Sequence, residues 1–235
     1  MNKPKIILII VTAAAVIVGL LWYYQSEGFI KIFPTSQDRE ISRALEIDED
    51  GFSSPEGLSQ VDYDTKLQEL YDLKEEVEDN TEDANLWLRF GNGLAYFSDH
   101  EGAIAAWKQT LRLQPVNFIA AGNIGFSSQY FIKDYPQAET YYRQALDADP
   151  TLTTAYQGLT DLYRYNWLEK RVELESLLVE AANNDPENAT AYLRILIVTQ
   201  LEDGRVEEAK GYLGQLEQKD PVVAEELREE HPELQ

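Results

Sequence analysis

Residues 84–115 read ANLWLRFGNGLAYFSDHEGAIAAWKQTLRLQP. Trp87, Phe90, Gly91 and Leu94 stand at i, i+3, i+4 and i+7, so one turn of helix after another lays them on a single apolar stripe. The stripe breaks at Ser98-Asp99-His100 and a second helical period follows. In it a small residue, Ala103, lies four positions before a large one, Trp107. Small beside large at that spacing lets two helices approach closely and interlock. Pro115 closes the stretch, because it lacks the N–H donor that a helix interior needs.

Moving outward, the stretch repeats. Pro115, Pro150, Pro186 and Pro221 recur at intervals of 35, 36 and 35, after Leu-Gln, Ala-Asp, Asn-Asp and Lys-Asp. Twelve residues before three of them stand Ala103, Ala138 and Ala209; eight before stand Trp107, Tyr142 and Leu213. The third unit departs, with Leu174 at the small position and Leu178 at the bulky one. The first halves agree as well. Ala121, Ile124, Gly125 and Ser128 restate the leading stripe 34 residues on, followed by Tyr156, Leu159, Tyr163 and then Tyr192, Ile195, Thr199.

The pattern Trp87-x2-Phe90-Gly91-x2-Leu94, Ala103-x3-Trp107, Pro115 resembles the tetratricopeptide repeat (TPR), a 34-residue pair of helices. The resemblance implies an all-α, right-handed TPR solenoid. Its repeats fall at 84–117, 118–152, 153–188 and 189–223 within a domain 63–235. A leading helix at 63–78 and a short C-terminal cap cover apolar ends that an open solenoid would expose. Extra residues near Phe131, Trp167 and Gly204 interrupt the period inside the repeats.

The same resemblance implies binding of peptides or partner proteins on a concave face made by the first helices. Register along those helices puts Leu88, Arg89, Asn92 and Tyr96 there from the first unit, and Asn123, Phe126, Gln129 and Tyr130 from the second. Gln157, Asp161, Arg164 and Tyr165 follow from the third, with Arg194, Ile197 and Leu201 from the fourth. Amides pair with a peptide backbone as both donor and acceptor, and tyrosines give flat contact area at small entropy loss. Asn92 and Asn123, 31 apart, match two asparagines of the carboxylate-clamp TPR domains, which hold acidic chain ends. The clamp's cations are missing, because Leu88, Thr154 and Gly158 occupy their places. A carboxylate is poorly held without them.

The N-terminal quarter differs. Residues 6–24 contain no charge, and at about 1.5 Å per residue such a helix spans roughly 28 Å, close to bilayer thickness. Trp22, Tyr23 and Tyr24 stand where interfacial aromatics belong, and Lys3 and Lys5 precede the run. The expectation is a transmembrane anchor at 6–24 after a short cytoplasmic segment 1–5. A cleaved signal is the competing reading, disfavoured by the bulky aromatics at the exit. The protein would then be single-pass, with its N-terminus cytoplasmic and its TPR domain extracytoplasmic. In layout it is similar to bacterial membrane-anchored TPR proteins of cytochrome c maturation and of the secretion translocon. Residues 25–62 read as an acidic linker, with a short helix capped by Ser36. Within it Glu46-Ile-Asp48-Glu-Asp50-Gly51 partly resembles the opening of a calcium loop, but Gly57 stands where a bidentate glutamate is needed.

Composition narrows function. The chain has 42 acidic and 20 basic residues, a formal charge of -22, no cysteine and two histidines. That excludes disulfide and thiolate chemistry and argues against nucleic acid, whose phosphates require a basic face. No Gly-x-Ser-x-Gly, phosphate-binding glycine loop or His-Glu-x-x-His occurs. His100 reads as a solvent-facing turn residue. The expectation is therefore a membrane-tethered, non-enzymatic adaptor without cofactor that binds protein or peptide partners in its concave groove, in assembly or chaperone-like handling of extracytoplasmic proteins. The alternative is a structural scaffold or self-associating subunit of a membrane complex, without client binding.

Overall fold

The structure is a computed structural model and describes residues 17–20, 23, 35–49, 52–53 and 57–235. The chain divides into two compact units, Met1–Arg43 and Ala44–Gln235. Helix α1 (Ser36–Ala44) lies in the described stretch 35–49. Its cap is Thr35 rather than the expected Ser36. The Thr35 hydroxyl accepts from the Asp38 N–H at 3.0 Å, and Asp38 Oδ2 accepts from the Thr35 N–H at 2.8 Å.

Among the described residues of the larger unit all regular structure is helical. α2 (Gln60–Asp79) leads, and four helix pairs follow: α3 (Ala84–Tyr96) with α4 (His100–Leu113), α5 (Phe118–Ser127) with α6 (Tyr135–Ala148), α7 (Thr153–Asp161) with α8 (Leu174–Asn184), and α9 (Ala189–Glu202) with α10 (Val206–Lys219). α11 (Pro221–Glu230) and a short turn at Pro232–Leu234 finish the chain.

Caps repeat with the pattern. Asp83, Asp99, Asn117 and Asp134 each accept a backbone N–H of the first helical turn that follows, from Asn85 at 2.8 Å, Gly102 at 2.8 Å, Ala120 at 2.9 Å and Gln137 at 3.0 Å. The small-beside-large rule appears as contact: a Cβ added to Gly91 would lie 2.5 Å from Trp107 Nε1, and one on Gly125 2.7 Å from the Tyr142 ring. Trp87, Phe90, Leu94, Ala103 and Trp107 are all buried, each large one worth about 1.5–3 kcal/mol of transfer free energy. At the far end Ala224, Leu227 and Leu234 cover Leu213, Leu216 and Ile197.

The extra residues have structural homes. In the second and third repeats the first helix ends in a five-residue π turn, Ser128–Ile132 and Leu162–Asn166, which takes up one residue more than an α turn. In the fourth, Gly204 adopts a positive φ of 73°, which glycine allows without Cβ strain. The third repeat differs most. A 3-10 turn, Leu168–Glu173, with no buried residue, replaces the start of its second helix, and Leu174 fills the position that is alanine elsewhere.

Among the described residues no helix is long and apolar enough to cross a membrane. That finding overturns the expected localisation as a single-pass protein with a cytoplasmic N-terminus and an extracytoplasmic domain. The physical reason is that crossing takes about 20 apolar residues. The apolar α5 and α9 have 10 and 14, and the 20-residue α2 carries acids and lysines along its length. Of the run 6–24 only residues 17–20 and 23 are described, and the remainder of that expected anchor lies outside the described residues, as do 1–5 and 24–34. The calcium-loop resemblance runs into the same limit at 50–51 and 54–56. Of its described part, Glu49 accepts a hydrogen bond from the Tyr71 hydroxyl.

Candidate functional site

The first helices of the second and third repeats leave a cavity of about 470 Å³ between them, within the range of small-ligand sites. α5 supplies Phe118, Ile119, Gly122, Asn123 and Phe126, and α7 supplies Thr154, Gln157, Gly158 and Asp161. Leu152 stands at the entry to α7, Tyr130 comes from the π turn and Tyr142 from α6. Two glycines make the room, for different reasons. A Cβ on Gly158 would strike the Tyr142 ring at 2.3 Å, so glycine there lets the ring seat. A Cβ on Gly122 would meet nothing within 4 Å, so glycine there leaves the groove open. Ile119 and Phe126 are half exposed, at 49% and 50%.

Polar contacts fix the cavity's rim. The Tyr130 hydroxyl donates to Asp161 Oδ2 at 2.9 Å. Burial, with Asp161 beside it, pushes the Tyr130 hydroxyl up to about 12, so it stays protonated and donating at neutral pH. Burial likewise raises Tyr142. Beneath, Gln129 is fully buried. With its amide turned to satisfy its neighbours, Gln129 Nε2 donates to the Gly158 carbonyl at 3.2 Å and Oε1 accepts from the Leu162 N–H at 3.1 Å.

The residues picked out from the sequence do not gather at one place. Asn123, Phe126, Tyr130, Gln157 and Asp161 line this cavity. Arg89, Asn92 and Tyr96 line a smaller one of about 310 Å³ against Lys66, Glu69 and Leu73 of α2. The asparagine pair is engaged internally: Asn92 Oδ1 accepts from Trp107 Nε1 and from Asn123 Nδ2, each at 3.1 Å. The two amides thus tie the first repeat to the second. Gln129, Arg164 and Arg194 line neither cavity. Gln129 is core, Arg164 pairs with Glu202 at 2.6 Å, and Arg194 pairs with Glu230 at 3.1 Å. Arg89 pairs with Glu76 at 3.3 Å.

His100 also departs from its expected place. Rather than facing solvent in a turn it opens α4 and stacks on Phe131, ring centroids 3.5 Å apart, with Nδ1 3.3 Å from Ser127 Oγ. Burial holds its pKa below the usual imidazole value, with Asp99 opposing that shift.

Sequence reasoning missed Phe118, Ile119, Gly122 and Leu152. A signal existed: Ile119, Gly122 and Phe126 form a second stripe on α5, opposite Ala121, Ile124 and Gly125. A helix apolar on two sides has something to bury on each.

No family model and no curated protein matches the chain. Solved structures do. A crystal structure of MamA aligns with a TM-score of 0.54 and 14% identity, covering 72% of this chain and 98% of that one. A double mutant of MamA from Desulfovibrio magneticus RS-1 aligns with a TM-score of 0.51 and 20% identity, covering 67% and 86%. MamA is a TPR protein, and the likeness, with the helix pairing above, gives this chain the TPR fold.

Proposed function

We propose that the chain is a protein-interaction adaptor that receives an extended segment of a partner between α5 and α7, in assembly or chaperone-like handling of other proteins. The observation that carries this reading is the open cavity of about 470 Å³, with Ile119 and Phe126 left half in water at its wall. Covering either side chain is worth about 1–2 kcal/mol, and the Asn123 and Gln157 amides at the wall offer donors and acceptors to a peptide backbone.

The test starts from a random-peptide display library panned on the full chain, with selected peptides measured by fluorescence anisotropy. Gly122→Leu places a side chain into open space and fills the groove. It should leave the melting temperature unlowered and weaken the selected peptides about thirtyfold or more, the equivalent of about 2 kcal/mol of lost burial. Peptides that bind Gly122→Leu as they bind the wild type would refute the groove.

A scaffold reading has one observation in its favour: Arg89, Arg164, Arg194 and Gln129 spend their polar groups on neighbouring elements of the same chain. It predicts that panning enriches no peptide and that light scattering reports an assembly of several copies.

A further inference from the structure

The cations along the first helices are already matched. Arg89 meets Glu76, Arg164 meets Glu202 and Arg194 meets Glu230. Asp161 is different. Its hydrogen-bond partner is the neutral hydroxyl of Tyr130 at 2.9 Å, and among the described residues no cation pairs with it. Nor does the cavity that it lines contain a lysine, arginine or histidine. Phe126 and Tyr130, ring centroids 4.9 Å apart, flank the same space. A carboxylate without a counter-charge beside aromatic faces suits a cation twice over. Opposite charge attracts, and an aromatic face draws a cation placed within about 6 Å of its centroid.

We propose that this cavity takes a basic side chain, an arginine guanidinium or a lysine ammonium, from the partner's peptide, with Asp161 as its counter-charge. The inference rests on the groove-binding reading above and gives it a chemistry. That chemistry is opposite in sign to an acidic chain end, which the missing clamp cations already disfavour. The chain's net charge of -22 draws the same class of partner from a distance, an attraction that salt weakens.

The test uses peptides selected by display on the full chain, re-synthesised with each basic residue replaced by citrulline or norleucine. Affinities are read by anisotropy on wild type, Asp161→Asn, Gly122→Leu and Asp147→Asn. Asp161→Asn keeps an acceptor for Tyr130 and removes the charge; Asp147 is an exposed acid outside the cavity and controls for net charge. The proposal expects enriched peptides to carry a lysine or arginine beside an apolar residue. It expects about a tenfold loss with Asp161→Asn, as for one charge-assisted hydrogen bond, and the same loss on neutralising the basic residue. Asp147→Asn should change affinity less than twofold. If selected peptides lack a basic preference, or Asp161→Asn costs no more than Asp147→Asn while Gly122→Leu still abolishes binding, the cation site is wrong and the groove stands. If Gly122→Leu also binds normally, both are wrong.

Discussion

On the face of the first helices, the junction between the second and third repeats is open, whereas the junction between the third and fourth is laced shut; away from that face, Arg143–Glu180 and Lys170–Glu139 pairs join the second and third repeats as well. At the first, Gly122 withholds a side chain and Asp161 faces only a tyrosine hydroxyl. At the second, Glu202 accepts from Arg164 at 2.6 Å and from Arg171 at 2.9 Å, Asp203 accepts from Arg171 at 3.1 Å, and the buried Asp185 gathers Thr153, Asn188 and Tyr192. Each junction sets the first helix of one repeat against the helix pair before it, α7 after α5 and α6, and α9 after α7 and α8. The groove's availability is therefore set by whether charged residues on the first-helix face reach a partner one repeat away, a feature that the repeat pattern leaves free.

The largest effect that tests this contrast lies in the core beneath the open junction. Tyr142 is buried, packs on Gly125 and Gly158, and bonds Gln129 through its hydroxyl. Tyr142→Ala should cost about 3–5 kcal/mol in urea denaturation, and because each repeat leans on its neighbours the loss should spread to both sides. A loss under about 1 kcal/mol would show that the open junction does not depend on that ring.

Next come the two glycines. Gly158→Ala forces a Cβ onto the Tyr142 ring and should cost about 1–3 kcal/mol. Gly122→Ala enters open space in a helix and should add about 0.5–1 kcal/mol. Thermal melts that shift the same way for both would contradict the distinction between a glycine that seats a ring and one that keeps a groove open.

At the laced junction the readout is acid stability. Burial alone would raise the Asp185 carboxyl, but hydrogen bonds from Thr153, Tyr192 and Asn188 outweigh it and hold its pKa below the usual carboxylate value. A folded-state pKa below the unfolded one stabilises the fold above the unfolded value, near 3.9 for aspartate, and that stability is lost as pH falls through the folded value. Denaturation below about pH 4 should therefore steepen for the wild type and flatten for Asp185→Asn. Identical acid arms for the two proteins would contradict this. Smallest is Glu202→Gln: the ion pairs are partly exposed, so the cost should stay below about 1 kcal/mol.

The helix pairing was legible because it follows from apolar spacing and proline period, which act locally along the chain. Trp87, Phe90, Ala103 and Trp107 could be placed from their intervals alone. The site was half legible for a physical reason. Register on a helix says which side chains share a face, and it put Asn123, Phe126, Tyr130, Gln157 and Asp161 correctly beside one another. It does not say what a partner 31 or 38 residues away will do. Asn92 bonded Asn123, and Arg164 found Glu202. Gln129 fell into the core because the π turn rotates the end of its helix. The localisation expectation was overturned differently. It rested on the composition of one run, and among the described residues no helix has the length and apolarity it required.

The most direct test of the open junction is a crystal structure of the chain with a display-selected peptide. The account predicts the peptide between α5 and α7, an apolar side chain over Gly122 against Ile119 and Phe126, and a basic one at Asp161. A peptide seated elsewhere, such as on the exposed Leu168–Glu173 turn, with the cavity over Gly122 unfilled, would contradict it.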